Sequence, residues 1–250
     1  MAQTARKEER GKPDESAGKY CIFSGSILKC IAMISMLIDH TAVVLLSRST
    51  IVLFRSGENY LTLYTFMRKI GRLAFPIFAF LLVEGFLHTR DRRKYGISLL
   101  LFALISEIPW NLEHTGTLFY EKQNVFFTLF LGYMGLCAFE YFQGQARKQA
   151  AAVFALYLVT LFIKSDYGLT GFGFIIMLYA LREQKLLRAL LGCCFLSSTW
   201  TGGLAFIPIS LYNGKRGFVR SPIVKYAFYS FYPLHILALY LIRLRMAGYP

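Results

Sequence analysis

Charge is scarce in this sequence. Only 17% of its 250 residues are charged, 56% are hydrophobic, and the mean hydropathy is +0.46. A soluble domain carries about a quarter charged residues, so a water-soluble globular domain is excluded. Acidic residues are scarcer still: 14 Asp and Glu stand against 28 Lys and Arg, a net charge of +14. The basic residues sit in short clusters between apolar runs, as cytoplasmic loops do. That charge is read as topology and as attraction for acidic headgroups or cofactor phosphates, with no nucleic-acid partner. The five cysteines, Cys21, Cys30, Cys137, Cys193 and Cys194, form no C-x-x-C pair, so no metal or redox motif is present. No internal repeat is visible, which counts against a transporter built on inverted repeats.

What is present is a series of long apolar runs. A span needs about 20 apolar residues, and 27–46, 72–88, 96–112, 124–143 and 225–242 qualify by composition. The run 150–181 is interrupted by Lys164-Ser-Asp-Tyr-Gly168, and 187–212 breaks at Ser197-Ser-Thr-Trp-Thr-Gly-Gly203. The expectation is an all-α polytopic membrane bundle of about eight or nine spans in one domain, 26–250. Residues 1–25 are expected to form a polar, disordered tail; no signal peptide is visible there. The loops Arg90–Lys94, Arg147-Lys148, Arg182–Arg188 and Lys215–Lys225 all fall inside if the N-terminus is cytoplasmic. Segment 47–72 fits poorly, because Arg48, Arg55, Arg68, Lys69 and Arg72 would sit outside. A re-entrant or interfacial helix over 51–67 would place some of them within a cavity.

Ionisable residues inside spans cost at least a few kcal/mol each, so they face a protein interior, a cavity or one another. Lys29, Asp39 and His40 lie in the first span. Lys29 and His40 are eleven apart, which returns to one helix face three turns on, about 16 Å along. A cation at the entrance and an imidazole deeper in one groove suit an anionic cofactor entering tail-first. The alternative is a snorkelling lysine and a histidine used in packing. Asp39 lies about 100° round from His40 and is expected to meet another helix. Glu84 sits mid-span, four residues before His88, and either orients a catalytic group or pairs structurally. Glu107 precedes Pro109, where the helix is expected to kink. His235 follows Phe231-Tyr-Pro-Leu234, read either as a polar pocket or as an interfacial aromatic belt.

Many of these motifs occur together in one family. The chain resembles the TraX family over roughly residues 26–245. The likeness rests on Ile38-Asp-His40, Gly71-Arg-Leu-Ala-Phe-Pro76 through Glu84, and Ser106-Glu-Ile-Pro109. It continues through Asn124-Val-Phe-Phe-Thr128, Ser165-Asp-Tyr-Gly168, Tyr212-Asn-Gly-Lys-Arg-Gly217 and Phe231–His235. The family's namesake acetylates the N-terminus of F-type pilin. A more distant likeness joins it to the acyltransferase-3 enzymes and the transmembrane heparan glucosamine acetyltransferases. In the former, an Arg and a His share the spacing of Lys29 and His40. The resemblance implies an acetyl-CoA donor, no metal, and an amine or hydroxyl acceptor on a peptide, pilin or cell-envelope molecule. It further implies a bacterial inner membrane. His40 is expected as general base or acyl carrier, with Asp39, Glu84 and His235 as catalytic partners. Lys29, Lys69, Arg72, Arg90, Arg93 and Lys94 are expected to hold the cofactor phosphates, and Glu107, Asn124, Asp166 and Tyr232 the acceptor. A proton-coupled transporter or lipid flippase is the alternative.

Overall fold

The computed structural model describes residues 21–56, 59–196, 200–219 and 221–247. The expected tail therefore lies largely outside the described residues. In order, the elements are α1 (Gly25–Leu45), β1 (Val52–Ser56), β2 (Asn59–Thr62), α2 (Leu63–Gly71), α3 (Ala74–His88), α4 (Arg92–Thr115), α5 (Val125–Tyr141), α6 (Ala146–Ile163), α7 (Gly168–Ala180), α8 (Lys185–Phe195), α9 (Trp200–Gly203), α10 (Phe206–Ser210) and α11 (Pro222–Ala247).

Among the described residues, five stretches are long and apolar enough to cross a membrane: α1, residues 63–88, α4, α6 and most of α11. Shorter apolar helices follow at Val125–Tyr141, Gly168–Ala180 and Thr201–Ser210. The protein is thus a helical membrane protein, with fewer full-length spans among the described residues than the eight or nine expected. Both expected interruptions occur. Lys164 adopts the left-handed conformation (φ 49°) between α6 and α7, and 187–212 is broken into α8, α9 and α10.

Segment 51–67 departs from expectation. It is not a continuous helix: β1 and β2 form an antiparallel hairpin, and α2 begins only at Leu63. The β-branched and aromatic residues of Val52–Phe54 and Tyr60–Thr62 favour strands. Thr62 then caps α2 by accepting from Thr65 N at 3.1 Å.

The core is built where α1, α3, α4, α5, α7 and α11 meet. Leu28, Ile77, Phe86, Leu99, Leu136, Phe174 and Ile236 are buried there. By contrast, α6 buries little, and Phe154, Leu161 and Phe162 face outward. Lipid, having no polar groups to offer, favours such a surface.

Two ties fix the ends of the bundle. At one end, Gly25 N donates to Lys215 O (2.8 Å) and Ser26 Oγ donates to Arg216 O (2.7 Å), while Val219 N donates to Ser26 Oγ (2.9 Å). Gly217 makes this approach possible: its φ is +82°, and a Cβ would collide with the hydroxyls of Ser24 and Ser26. Arg92 Nη2 and Tyr179 Oη both reach Glu140 at the same end, at 3.4 and 2.5 Å. The basic loops therefore gather on one side of the bundle. At the other end, Gln123 N donates to Lys164 O (3.2 Å) and Asp166 N to Gln123 O (2.9 Å). This pairing holds Asp166 beside the start of α5.

Candidate functional site

A cavity of about 980 Å³ runs between α1, α3, α4 and α11. Lys29 and His40 both line it, so the eleven-residue spacing does place them on one wall. Near the basic loops the wall carries Lys29, Arg90, Lys94, Arg216 and Lys225. Lys225 Nζ sits over three tyrosine rings, Tyr95, Tyr226 and Tyr229, at 5.6–5.8 Å. Lys29 Nζ sits 5.9 Å from the Phe228 ring. These aromatic faces support the cations without neutralising them, which leaves the end positive. Asp91, an acidic residue there, accepts from Lys94 N (2.9 Å) as the cap of α4, and that bond lowers its carboxyl below the usual range.

The far end of the cavity holds His40. Its Nδ1 lies 2.6 Å from His235 Nε2, and His235 Nδ1 lies 2.7 Å from the carbonyl oxygen of Phe231. The two imidazole planes are parallel within 4° with centroids 4.9 Å apart. Since the nitrogens are much closer than the centroids, the rings meet edge to edge. This chain assigns the protons. A carbonyl only accepts, so His235 carries its proton on Nδ1. In the neutral ring Nε2 is then an acceptor, so His40 donates from Nδ1. The lone pair of His40 Nε2 is left without a hydrogen-bond partner among the described residues. A histidine held in one tautomer by a second group is the arrangement a general base or nucleophile requires.

Around His40 lie an ion pair and a second polar group. Asp39, a hundred degrees round α1, pairs with Arg68 Nη1 at 2.6 Å through Oδ2. Asp39 Oδ1 is buried without a hydrogen-bond partner among the described residues. The carboxylate lies so close to α2 that a Cβ on Gly71 would collide with it. Arg68 and Arg72 are four residues apart on α2 and share the cavity-facing side. Arg72 and Tyr167 both line this end of the cavity. Asp166, Tyr167 and Tyr232 complete this end together with Trp110, Glu113 and His114.

Several expected residues are placed elsewhere. Lys69 is not on the cavity wall, because it lies about 100° round α2 from Arg68; Arg93, exposed at the start of α4, is not there either. Glu84 lines the cavity, but at the basic end, where its Oε2 lies 3.8 Å from His88 Nδ1. It sits on α3, beyond the break that follows Gly71, and the structure does not bring it together with His40. Glu107 and Asn124 hold each other. Glu107 Oε1 accepts from Asn124 N (3.0 Å) and Nδ2 (2.5 Å), while Asn124 Oδ1 caps α5 by accepting from Phe126 N (3.0 Å). They form a structural joint between α4 and α5 and do not line the cavity. His235 stands behind His40 and is not itself a wall residue.

Sequence reasoning missed Arg68 as Asp39's partner, and Arg216 and Lys225 as cavity cations. It also missed Glu113 and His114, in Trp110-Asn-Leu-Glu-His114 at the end of a span. Spacing puts Arg68 on one helix face with Arg72, four residues on, but does not pair it with Asp39.

The fold and cavity define a polytopic helical membrane protein with an aligned histidine pair at the end of a cation-mouthed cavity. The chain belongs to the TraX family: the family model described as TraX protein matches residues 24–243. It is also 30% identical over 243 residues to the probable fimbrial assembly protein FimC, serogroup H1, of Dichelobacter nodosus, covering 86% of this chain and 93% of that protein. No solved structure matches the chain.

Proposed function

We propose that the protein is a membrane acetyltransferase. It moves an acetyl group from acetyl-CoA to an amine or hydroxyl of a peptide, pilin or other cell-envelope acceptor. The observation that carries this reading is the free Nε2 of His40, fixed by the His40–His235–Phe231 chain at the inner end of a cavity whose mouth is cationic. The phosphates of the donor are held at the mouth by Lys29, Arg90, Lys94, Arg216 and Lys225. The thioester arm, which carries no charge, extends toward His40. There the lone pair takes a proton from the acceptor as it attacks the thioester carbonyl, or first takes the acetyl group itself; both routes use the same nitrogen. The new bond to carbon forms, the carbon–sulfur bond breaks, and the proton passes to the departing thiolate.

Membership of the TraX family and the fimbrial relative favour a pilus subunit or similar exported peptide as acceptor. The donor is cytosolic, so the basic end faces the cytoplasm, which puts the N-terminus inside and the protein in a bacterial inner membrane. The test is release of free thiol from acetyl-CoA by the purified protein with added amines and hydroxyl compounds. Thiol release that depends on the acceptor and is lost in His40→Ala supports the reading. Proton-coupled uptake by proteoliposomes with no thiol release would replace it with transport.

A further inference from the structure

The cavity contains a second oriented imidazole that the mechanism above does not use. His114 Nδ1 lies 2.6 Å from Glu113 Oε2 and 3.0 Å from the carbonyl oxygen of Trp110. Both oxygens only accept in this state, so Nδ1 carries the proton and Nε2 is left over. The ring is clamped between Trp110 (centroids 4.0 Å) and Tyr120 (4.7 Å, planes within 20°). Glu113 is buried and is itself held from α11. Arg243 Nη2 donates to its backbone carbonyl at 2.6 Å, and Arg243 Nη1 lies 3.9 Å from Oε1. Both Glu113 and His114 line the cavity, at the end that contains His40.

We propose that His114, backed by Glu113, is a second proton acceptor in this cavity and serves acceptors that arrive as ammonium ions. The inference rests on the acetyltransferase reading. The two histidines differ in what stands behind them: a neutral imidazole behind His40, a carboxylate behind His114. A carboxylate stabilises the imidazolium directly, as in a catalytic triad. An amine acceptor has two protons to lose, whereas a hydroxyl has one. An α-amine has a pKa of about 7.7–8.0 and is largely protonated at neutral pH. In the first step the ammonium gives one proton to His114 Nε2 and becomes a neutral amine. In the second, its lone pair attacks the thioester carbonyl, the nitrogen–carbon bond forms and the carbon–sulfur bond breaks. The remaining proton goes to His40 Nε2 and then to the CoA thiolate. His114 returns its proton to water.

The charged groups around His114 suit that exchange. Glu113 is on its own helix, Arg243 comes from α11, and Asp166 acts on it from the α6–α7 connection. His40 on α1 feels its charge. Arg68, Arg72 and Lys122 act on Asp166. Asp166 and His114 line the same end of the cavity, so a second carboxylate faces that space.

The experiment compares wild type, His114→Gln and His40→Ala with acetyl-CoA and two probe acceptors. Glycinamide is an α-amine that is mostly protonated at pH 7; 2,2,2-trifluoroethylamine is a weakly basic amine that is neutral there and needs no prior deprotonation. About a tenth of an α-amine is neutral at pH 7. His114→Gln is therefore expected to transfer to glycinamide about ten-fold more slowly at pH 7 and to recover as the pH rises to 9. Its transfer to trifluoroethylamine should fall by much less than its transfer to glycinamide, and an unchanged melting temperature in detergent shows that the variant is folded. His40→Ala should lose both. Equal loss on the two probes, or no loss on either, would overturn the role of His114. Wild type that leaves acetyl-CoA uncleaved with both probes would remove the acetyltransferase reading itself, and this inference with it.

Discussion

His40 Nδ1 and His235 Nε2 meet at 2.6 Å although 195 residues separate them in the chain. The contact joins the first long helix to the last, and its direction is set by the Phe231 carbonyl one turn before His235. Removing the second ring while keeping the first separates orientation from basicity. His235→Ala is expected to lower kcat by on the order of 100-fold, because His40 loses the partner that selects its tautomer. The KM for acetyl-CoA should barely change. Steady-state kinetics on both constants checks this; a change confined to KM would place His235 in donor binding.

Gly71 and Asp39 test the packing beneath the site. An added methyl at Gly71 meets the Asp39 carboxylate, and overpacking of this kind costs about 1–3 kcal/mol. Gly71→Ala should therefore lower the melting temperature in detergent and reduce activity together. Unchanged stability would mean that α2 moves aside freely.

Arg68 and Asp39 should behave as a coupled pair. Their side chains are 25% and 15% exposed, between the surface and buried regimes. Arg68→Met leaves a carboxylate unpaired and should cost ~2 kcal/mol. The double variant Asp39→Asn with Arg68→Met should recover part of that loss. Additive effects in this cycle would contradict the coupling.

The cationic mouth makes a kinetic prediction of another kind. Lys225→Ala and Arg216→Ala should raise the KM for acetyl-CoA and leave kcat nearly unaltered, as expected for binding felt equally in ground and transition states. The wild-type KM should rise with salt, since these groups reach solvent. Salt-independent binding would place the phosphates elsewhere.

Glu107 offers a contrast. It ties the amino end of α5 through Asn124. Glu107→Ala should destabilise by about 1–2 kcal/mol and leave both kinetic constants near wild type in the folded fraction. A selective effect on acceptor KM would restore Glu107 to the substrate site.

Much of the architecture was legible because apolar runs and basic loops are local properties of sequence. The breaks at Lys164–Gly168 and within 187–212 follow from the turn residues themselves. The common wall of Lys29 and His40 follows from helix periodicity. The hairpin at 52–62 was hidden because a short apolar run fits strand and helix alike. The site was less legible because its decisive contacts are long-range. Nothing local to His40 names His235 as its partner, or Arg68 as the partner of Asp39. Glu84 and Glu107 show the same limit: a carboxylate within a span demands a partner, but sequence does not say that Glu107 meets the capping Asn124 while Glu84 lies near His88.

The central claim is that His40 Nε2 performs transfer from acetyl-CoA. It is tested most directly by incubating purified wild type and His40→Ala with acetyl-labelled acetyl-CoA in detergent, measuring bound and transferred label together. The expected result is saturable binding by both proteins, with label transferred or released by wild type alone. Equal turnover by the two would contradict the role of His40, and absence of binding by folded wild type would contradict acetyl-CoA as the donor.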